Sequence, residues 1–386
     1  MTCNMQNEPN IRTKRRGCGI RSKCRALPLG LATVGALLAG CATTQPTARE
    51  EATERWNLAR AEVKAKLAAD RLACGQVAAA AGELAEADRL VPDDPRRVPL
   101  RARIWLAEGR VAEAADLLER TTLEGSRQAE VAYLLGIARQ QQERWTDAFV
   151  AYARAADLDP TEVGYVVAAV QTALQLGDGT GALTLLEQAA PRFAWTNAYQ
   201  AALAECHEQS GNWGAAVAAW QRVACREAER ASVQGRLAEA LFRAERYQDA
   251  VPILRTLLES PDETVGTHWR LLLAECHLAL GQAGRARAQG RLVLQAEPTN
   301  PRAWRLVSRS LGDEGDFVGA LRAARQALDA ADDAAGETCS LELVAALAWR
   351  TGDHALARHC SERLRQREPN NAVAVAVIRA VEGLGG

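Results

Sequence analysis

After about residue 60 the hydrophobic and polar positions of this chain read as short helices repeated with a long period. Alanines stand at 80, 114, 148, 182, 216 and 250, each 34 residues after the last, and the series continues at Ala286, Ala320 and Ala357 after small slips. Five residues before these alanines come Gly75, Gly109, Gly177, Gly211, Gly281, Gly315 and Gly352, with Glu143 and Glu245 in the other two places. Four residues after them stand Leu84, Leu118, Tyr152, Leu186, Trp220 and Leu254, and twelve after come Pro92, Pro160, Pro298 and Pro369. A fixed period of this length predicts helix–turn–helix units. Glycine permits a sharp turn between two helices, and the small alanine lets them approach. The larger side chain fills the layer between units, and proline ends the second helix. No unit can bury its apolar face alone, so neighbours must stack into one continuous core.

The pattern resembles the tetratricopeptide repeat. The best match is "AEVAYLLGIARQQQERWTDAFVAYARAADLDPTE" at 129–162, with Leu135-Gly136, Ala148, Tyr152, Ala155 and Pro160 at the signature places. The resemblance implies an all-α fold, a right-handed superhelical solenoid over residues 56–386. About nine units are expected at 61–94, 95–128, 129–162, 163–196, 197–230, 231–264, 267–300, 301–334 and 338–371, with a capping helix at 372–384. The sequence departs from the family pattern in places. The usual first-helix tyrosine is replaced throughout, and five units lack the terminal proline at its usual place. The last three units carry Gly290, Ala324 and Ser361 where a large side chain is expected, which predicts irregular packing there. Composition agrees with an all-helical reading: 78 of the 386 residues are alanine, the best helix former. Only "AVAVAVIRAV" at 372–381 alternates like a strand, and its place at the end of the repeats favours helix.

The chain opens differently. Residues 12–25 are basic, and residues 26–40, "ALPLGLATVGALLAG", are apolar and small. Fifteen residues is short for a bilayer span, which needs roughly 20, and suits the core of a signal peptide. The boundary Leu38-Ala39-Gly40-Cys41 resembles the bacterial lipobox. That resemblance implies a signal peptide over 1–40 and Cys41 as the first mature residue, acylated on its sulfur and its new N-terminus. Two or three chains anchor a protein stably where one does not. Ala42, rather than aspartate, follows the cysteine. In the lipoproteins of a two-membrane bacterium this implies the periplasmic face of the outer membrane. The other reading of the segment is an ordinary signal peptide or an uncleaved anchor that happens to contain Cys41. Residues 41–55 are polar and predict a flexible tether.

Charge and chemistry narrow the function. The net charge of -1 hides a basic leader; without residues 1–40 the chain holds 40 basic and 47 acidic residues, a net of about −7. That balance argues against a nucleic-acid partner. No lysine follows residue 66, so the repeats hold neither a Schiff-base nor a phosphate-loop lysine. No zinc-protease, phosphate-loop or nucleophile-elbow motif occurs, and repeats occupy the whole chain after the tether. No catalytic residue, metal site or cofactor is therefore expected. Cys206-His207 and Cys276-His277 sit in "LAECH" repeated verbatim; adjacent helical residues diverge by about 100° and cannot readily share an ion. Cys206 and Cys276 read better as small buried packers, and His354, His359 and Cys360 form only a weak cluster. Cys339 and Cys360, at the ends of two antiparallel helices of the last unit, have a geometry in which a disulfide is possible but not required.

One ladder remains. "LAE" recurs as Leu203-Ala204-Glu205, Leu237-Ala238-Glu239 and Leu273-Ala274-Glu275, at one position of three consecutive first helices. In the repeat family that position lines a concave groove that holds extended peptides or partner helices. Glu205, Glu239 and Glu275 would there favour a basic or amide-rich segment; they could equally form a solvated polar face. No unit has the asparagine by which chaperone-adaptor members clamp a C-terminal carboxylate, so that role does not carry over. The expectation is a scaffold lipoprotein for envelope proteins, held to the bilayer through Cys41, like the repeat lipoproteins that serve pilus, secretion, export or outer-membrane assembly machines. The alternative is a cell-wall or polysaccharide-binding module that uses groove aromatics.

Overall fold

The computed structural model describes residues 48–259 and 266–383. The chain divides into two units, Met1–Glu54 and Arg55–Gly386. The helical stack belongs to the second, and the described part of the first is the opening turns of α1. Every regular element among the described residues is helical.

Among the described residues nine antiparallel helix pairs follow one another. Their first helices are α1 (Ala48–Ala73), α3 (Val98–Ala107), α5 (Ser126–Gln141), α7 (Val163–Gln175), α9 (Asn197–Gln209), α11 (Ala231–Arg243), α13 (Gly266–Ala279), α15 (Pro301–Asp313) and α17 (Ala334–Arg350). Their second helices are α2 (Val77–Leu90), α4 (Val111–Glu119), α6 (Trp145–Leu158), α8 (Gly179–Phe193), α10 (Trp213–Ala224), α12 (Tyr247–Leu258), α14 (Ala283–Ala296), α16 (Phe317–Asp329) and α18 (His354–Arg367). A final helix, α19 (Ala372–Gly383), packs on α17 and α18. Its buried Ala374 and Val377 lie three residues apart, so the alternating apolar sequence is used at helical spacing. First helices also touch the next first helix, as α7 does α9 and α13 does α15, which makes the pairs a solenoid. One expectation fails at the beginning: α1 starts at Ala48, so residues 48–55 are helical and not a flexible tether. Their alanines favour helix, and Glu50 and Glu51 in the first turn complement its dipole.

Turns between the helices of a pair show why the 34-residue pattern exists. All seven turn glycines have positive φ, for example 72° at Gly211 and 70° at Gly281. Glu143 and Glu245, in the two exceptional places, take the same conformation at φ 59°. The residue after the turn then caps the second helix where it is aspartate or asparagine, whereas Gln76 and Gln282 in the same place do not. Asp178, Asn212, Asp316 and Asp353 each accept a hydrogen bond from the backbone N–H three residues on.

All nine periodic alanines are fully buried at 0% exposure, where second helix meets first. The larger residues four places on, from Leu84 to Leu254, are buried too. Tyr152 lies across Gly136, where a Cβ would come within 2.5 Å of its ring; this close approach is why Leu135-Gly136 belongs to the pattern. In the last three pairs the small residues at the large position are also enclosed. Ala324 and Ser361 are fully buried, and a Cβ on Gly290 would sit 3.0 Å from Val307 Cγ2. Space left by the missing large side chain is taken by Leu306 and Val307 from the following first helix, and by Leu341 and Val344 one pair later. The layers at Gly290 and Ala324 are therefore filled from the opposite side.

Candidate interaction groove

Glu205, Glu239 and Glu275 project from equivalent turns of α9, α11 and α13, all half-buried. The structure gives each a partner from a neighbouring first helix. Gln171 Nε2 of α7 donates to Glu205 at 3.4 Å. His268 Nε2 of α13 lies 2.9 Å from Glu239, and Arg302 of α15 donates to Glu275 at 3.0 Å. The basic and amide groups that such carboxylates favour are thus present in the chain itself. At this exposure each pair contributes little to stability, roughly 0–1 kcal/mol, but each carboxylate is held in one orientation.

Beside the ladder lies a stronger junction. Glu208 of α9 accepts from Trp220 Nε1 at 2.7 Å and from Arg236 of α11 at 2.5 Å, and the Arg236 guanidinium lies 5.5 Å over the Trp220 ring. Burial raises the Glu208 carboxyl above its ordinary range, and the Trp220 and Arg236 contacts pull against that shift. Trp220 is thus more than a packing residue: its indole N–H ties α10 to α9 at Glu208, where Arg236 joins α11.

Two clefts open along the first helices, and the ladder reaches both. One, of about 750 Å³, is lined by Tyr133, Gln140, Trp145, Gln171, Gln175 and Glu205 among others, from α5 to α9. Tyr133 stacks between Tyr152 and Tyr165, with ring centroids 5.5 and 5.0 Å away. The Tyr152 hydroxyl donates to Gln140 Oε1 at 2.8 Å, and burial together with Tyr133 holds that phenol well above its usual pKa. This cleft offers aromatic faces and neutral amides. The other, of about 410 Å³, is lined by Glu275, Arg302, Arg305, Arg309, Glu342 and Cys339 among others, from α13 to α17. It is rich in arginine. Neither Tyr133 nor the arginines of α15 were singled out from the sequence, although a cluster of glutamines and aromatics on successive first helices is a readable signal.

The remaining candidates fall elsewhere. Leu38, Ala39, Gly40 and Cys41 lie outside the described residues. Cys206 and Cys276 are buried thiols pushed up to about 11 and about 12 by burial, as packing residues would be. Cys339 is an exposed free thiol in the second cleft, whereas Cys360 is a free thiol packed with Leu341 and Val344 in the core. They occupy different sides of α17 and are not bridged. No helix among the described residues is long and apolar enough to cross a membrane.

A tetratricopeptide repeat family model matches residues 100–163, 167–232 and 236–301, just over half of the chain. The chain belongs to the tetratricopeptide repeat family. Solved structures with similar folds include PilW, a widely conserved type IV pilus biogenesis factor, at 17% identity and TM-score 0.48, covering 56% of this chain and 97% of that one. Pseudomonas aeruginosa pilF gives 17% identity and TM-score 0.44 over 56% of this chain and 95% of that one. The C-terminal part of a repeat protein from Cytophaga hutchinsonii gives 12% identity and TM-score 0.48 over 65% and 98%. A search of curated proteins found no match. As a member of this family, the chain has the fold of a protein-interaction scaffold.

Proposed function

We propose that this protein is a scaffold lipoprotein of the bacterial envelope, anchored through acylated Cys41 at the periplasmic face of the outer membrane. Its first-helix groove holds other envelope proteins. The observation that carries the groove reading is the course of the ladder: Glu205 lines one cleft, Glu275 lines the other, and Glu239 stands between them. A preformed surface of this length binds an extended segment without ordering itself first. A lipid anchor raises the local concentration of that surface near membrane-bound partners. The anchor reading is supported by the coincidence of basic region, apolar core and Leu38–Cys41 box.

Two experiments test these parts separately. Cys41→Ser should release the protein from the membrane fraction or leave it as precursor; unchanged size and fractionation would refute the anchor. Replacing Glu205, Glu239 and Glu275 together by alanine should remove a set of envelope proteins from an in-cell crosslink and pull-down. If the fold persists and every interaction is kept, the ladder is only a solvated face.

A second reading is favoured by the α5–α9 cleft, whose aromatic faces and glutamines also suit a polysaccharide. Saturable co-sedimentation with purified cell wall, lost on Trp145→Ala, would move the assignment to it.

A further inference from the structure

The first helix of the stack has an apolar face that no other described helix covers. Trp56, Val63 and Leu67 of α1 are 64%, 67% and 37% exposed. Steps of seven and four residues place all three within about 40° on the helix wheel. The opposite side of α1 is the packed one, with Ala61 and Ala68 at 0% exposure and Leu72 half-buried against α2 and α3. Every later first helix is preceded by a second helix, and among the described residues no helix precedes α1. Between residues 55 and 60 no side chain is buried, so the start of this helix projects past its partner. Exposed Arg60 and Lys66 flank the stripe on its two sides. Its nearest acids are Glu62, which faces Arg96 at 3.6 Å, and Asp70, which lies beyond Leu67 at the far end.

We infer that the Trp56–Val63–Leu67 face of α1 docks on an anionic phospholipid surface. This rests on the reading of Cys41 as the lipid anchor. Six residues separate Cys41 from Ala48, seven chain steps or at most about 25 Å, so a bilayer holding the acyl chains is within reach of the helix. A tryptophan and aliphatic side chains bordered by arginine and lysine form the composition of a helix lying in a lipid headgroup layer. The dimensions disfavour a second copy of the chain as the occupant. The twelve residues of helix from Trp56 to Leu67 make a stripe about 17 Å long and 10 Å wide, whereas a stable dimer needs about 800 Å² per partner.

The test uses residues 42–386 without acylation, which contain every described helix, so its outcome does not depend on whether Cys41 is acylated. Mass spectrometry of the native protein decides that question independently. Sedimentation with vesicles of phosphatidylethanolamine and phosphatidylglycerol should show binding that weakens with salt and is lost on neutral phosphatidylcholine. Replacing Trp56, Val63 and Leu67 together by serine should lower partitioning at least about tenfold, with unchanged helicity because all three are exposed. Arg60→Glu with Lys66→Glu should lower it through charge alone. Equal binding by the triple variant, or no binding by the parent chain, overturns the proposal. A parent that is dimeric by light scattering, made monomeric by the same three serines and indifferent to vesicles, overturns it in favour of self-association.

Discussion

The first six helix pairs and the last three solve the same packing problem in opposite ways. From Leu84 to Leu254 the second helix carries the large side chain that fills the layer between pairs; at Gly290, Ala324 and Ser361 it carries a small one. All of these positions are enclosed, so a repeat specifies how much volume a layer holds more strictly than which helix supplies it. At Gly290 and Ala324 the following first helix supplies Leu306 and Val307 or Leu341 and Val344. The polar groups follow suit: Trp220 in the earlier region reaches Glu208, while in the later one Ser308 donates from α15 to the Ala320 carbonyl of α16 at 2.8 Å.

Breaking the earlier solution should have the largest effect. Trp220→Ala removes a side chain that is 5% exposed and leaves Glu208 without its indole partner. We expect a loss of about 3–5 kcal/mol, read as a lowered midpoint in thermal unfolding followed by circular dichroism. Imposing the earlier solution on the later region should come next. Gly290→Leu would drive a side chain into Val307 and cost about 1–3 kcal/mol in the same assay; no loss would mean that the C-terminal layer has free volume. Turn conformation should matter less. Glu143→Gly and Glu245→Gly relieve a positive φ on a residue with a Cβ, so each variant should gain up to about 1 kcal/mol.

The smallest effect separates the regions by pH. His277 is buried in α13, with Gln282 Oε1 2.9 Å from its Nδ1. Burial lowers its pKa below the ordinary 6.5, against the Gln282 contact. As pH falls through 6.5 the unfolded chain takes up this proton before the folded one, so stability declines there and is fully present above it. His277→Gln should reduce the fall in unfolding midpoint between neutral and mildly acidic pH. An undiminished fall would assign the effect to other groups, such as His207, whose pKa burial also lowers.

Much of the stack was legible because its demands are local. A buried contact between two helices needs a small side chain at one place, and alanine marks it nine times. A tight turn needs positive φ, and glycine marks seven of the nine; the two glutamates adopt it under the constraint of the helices they join. The candidate site was legible in part. The recurring Leu-Ala-Glu triplet put Glu205, Glu239 and Glu275 on matching turns of successive first helices. Their partners were hidden, because Gln171, His268 and Arg302 stand at offsets of 34, 29 and 27 residues. Side chains of different length reach the same point from different turns.

The amino-acid sequence by itself determined the all-helical class, the period, the turns and the matching helical places of Glu205, Glu239 and Glu275, since each depends on backbone conformation or side-chain size within one repeat. Only the tertiary structure decided which helix fills the layers at Gly290 and Ala324, which groups satisfy the carboxylate ladder, and that the apolar stripe of α1 has no described helix over it. Those outcomes depend on what stands across a gap between units, and a period read along the chain carries no information about distances across it.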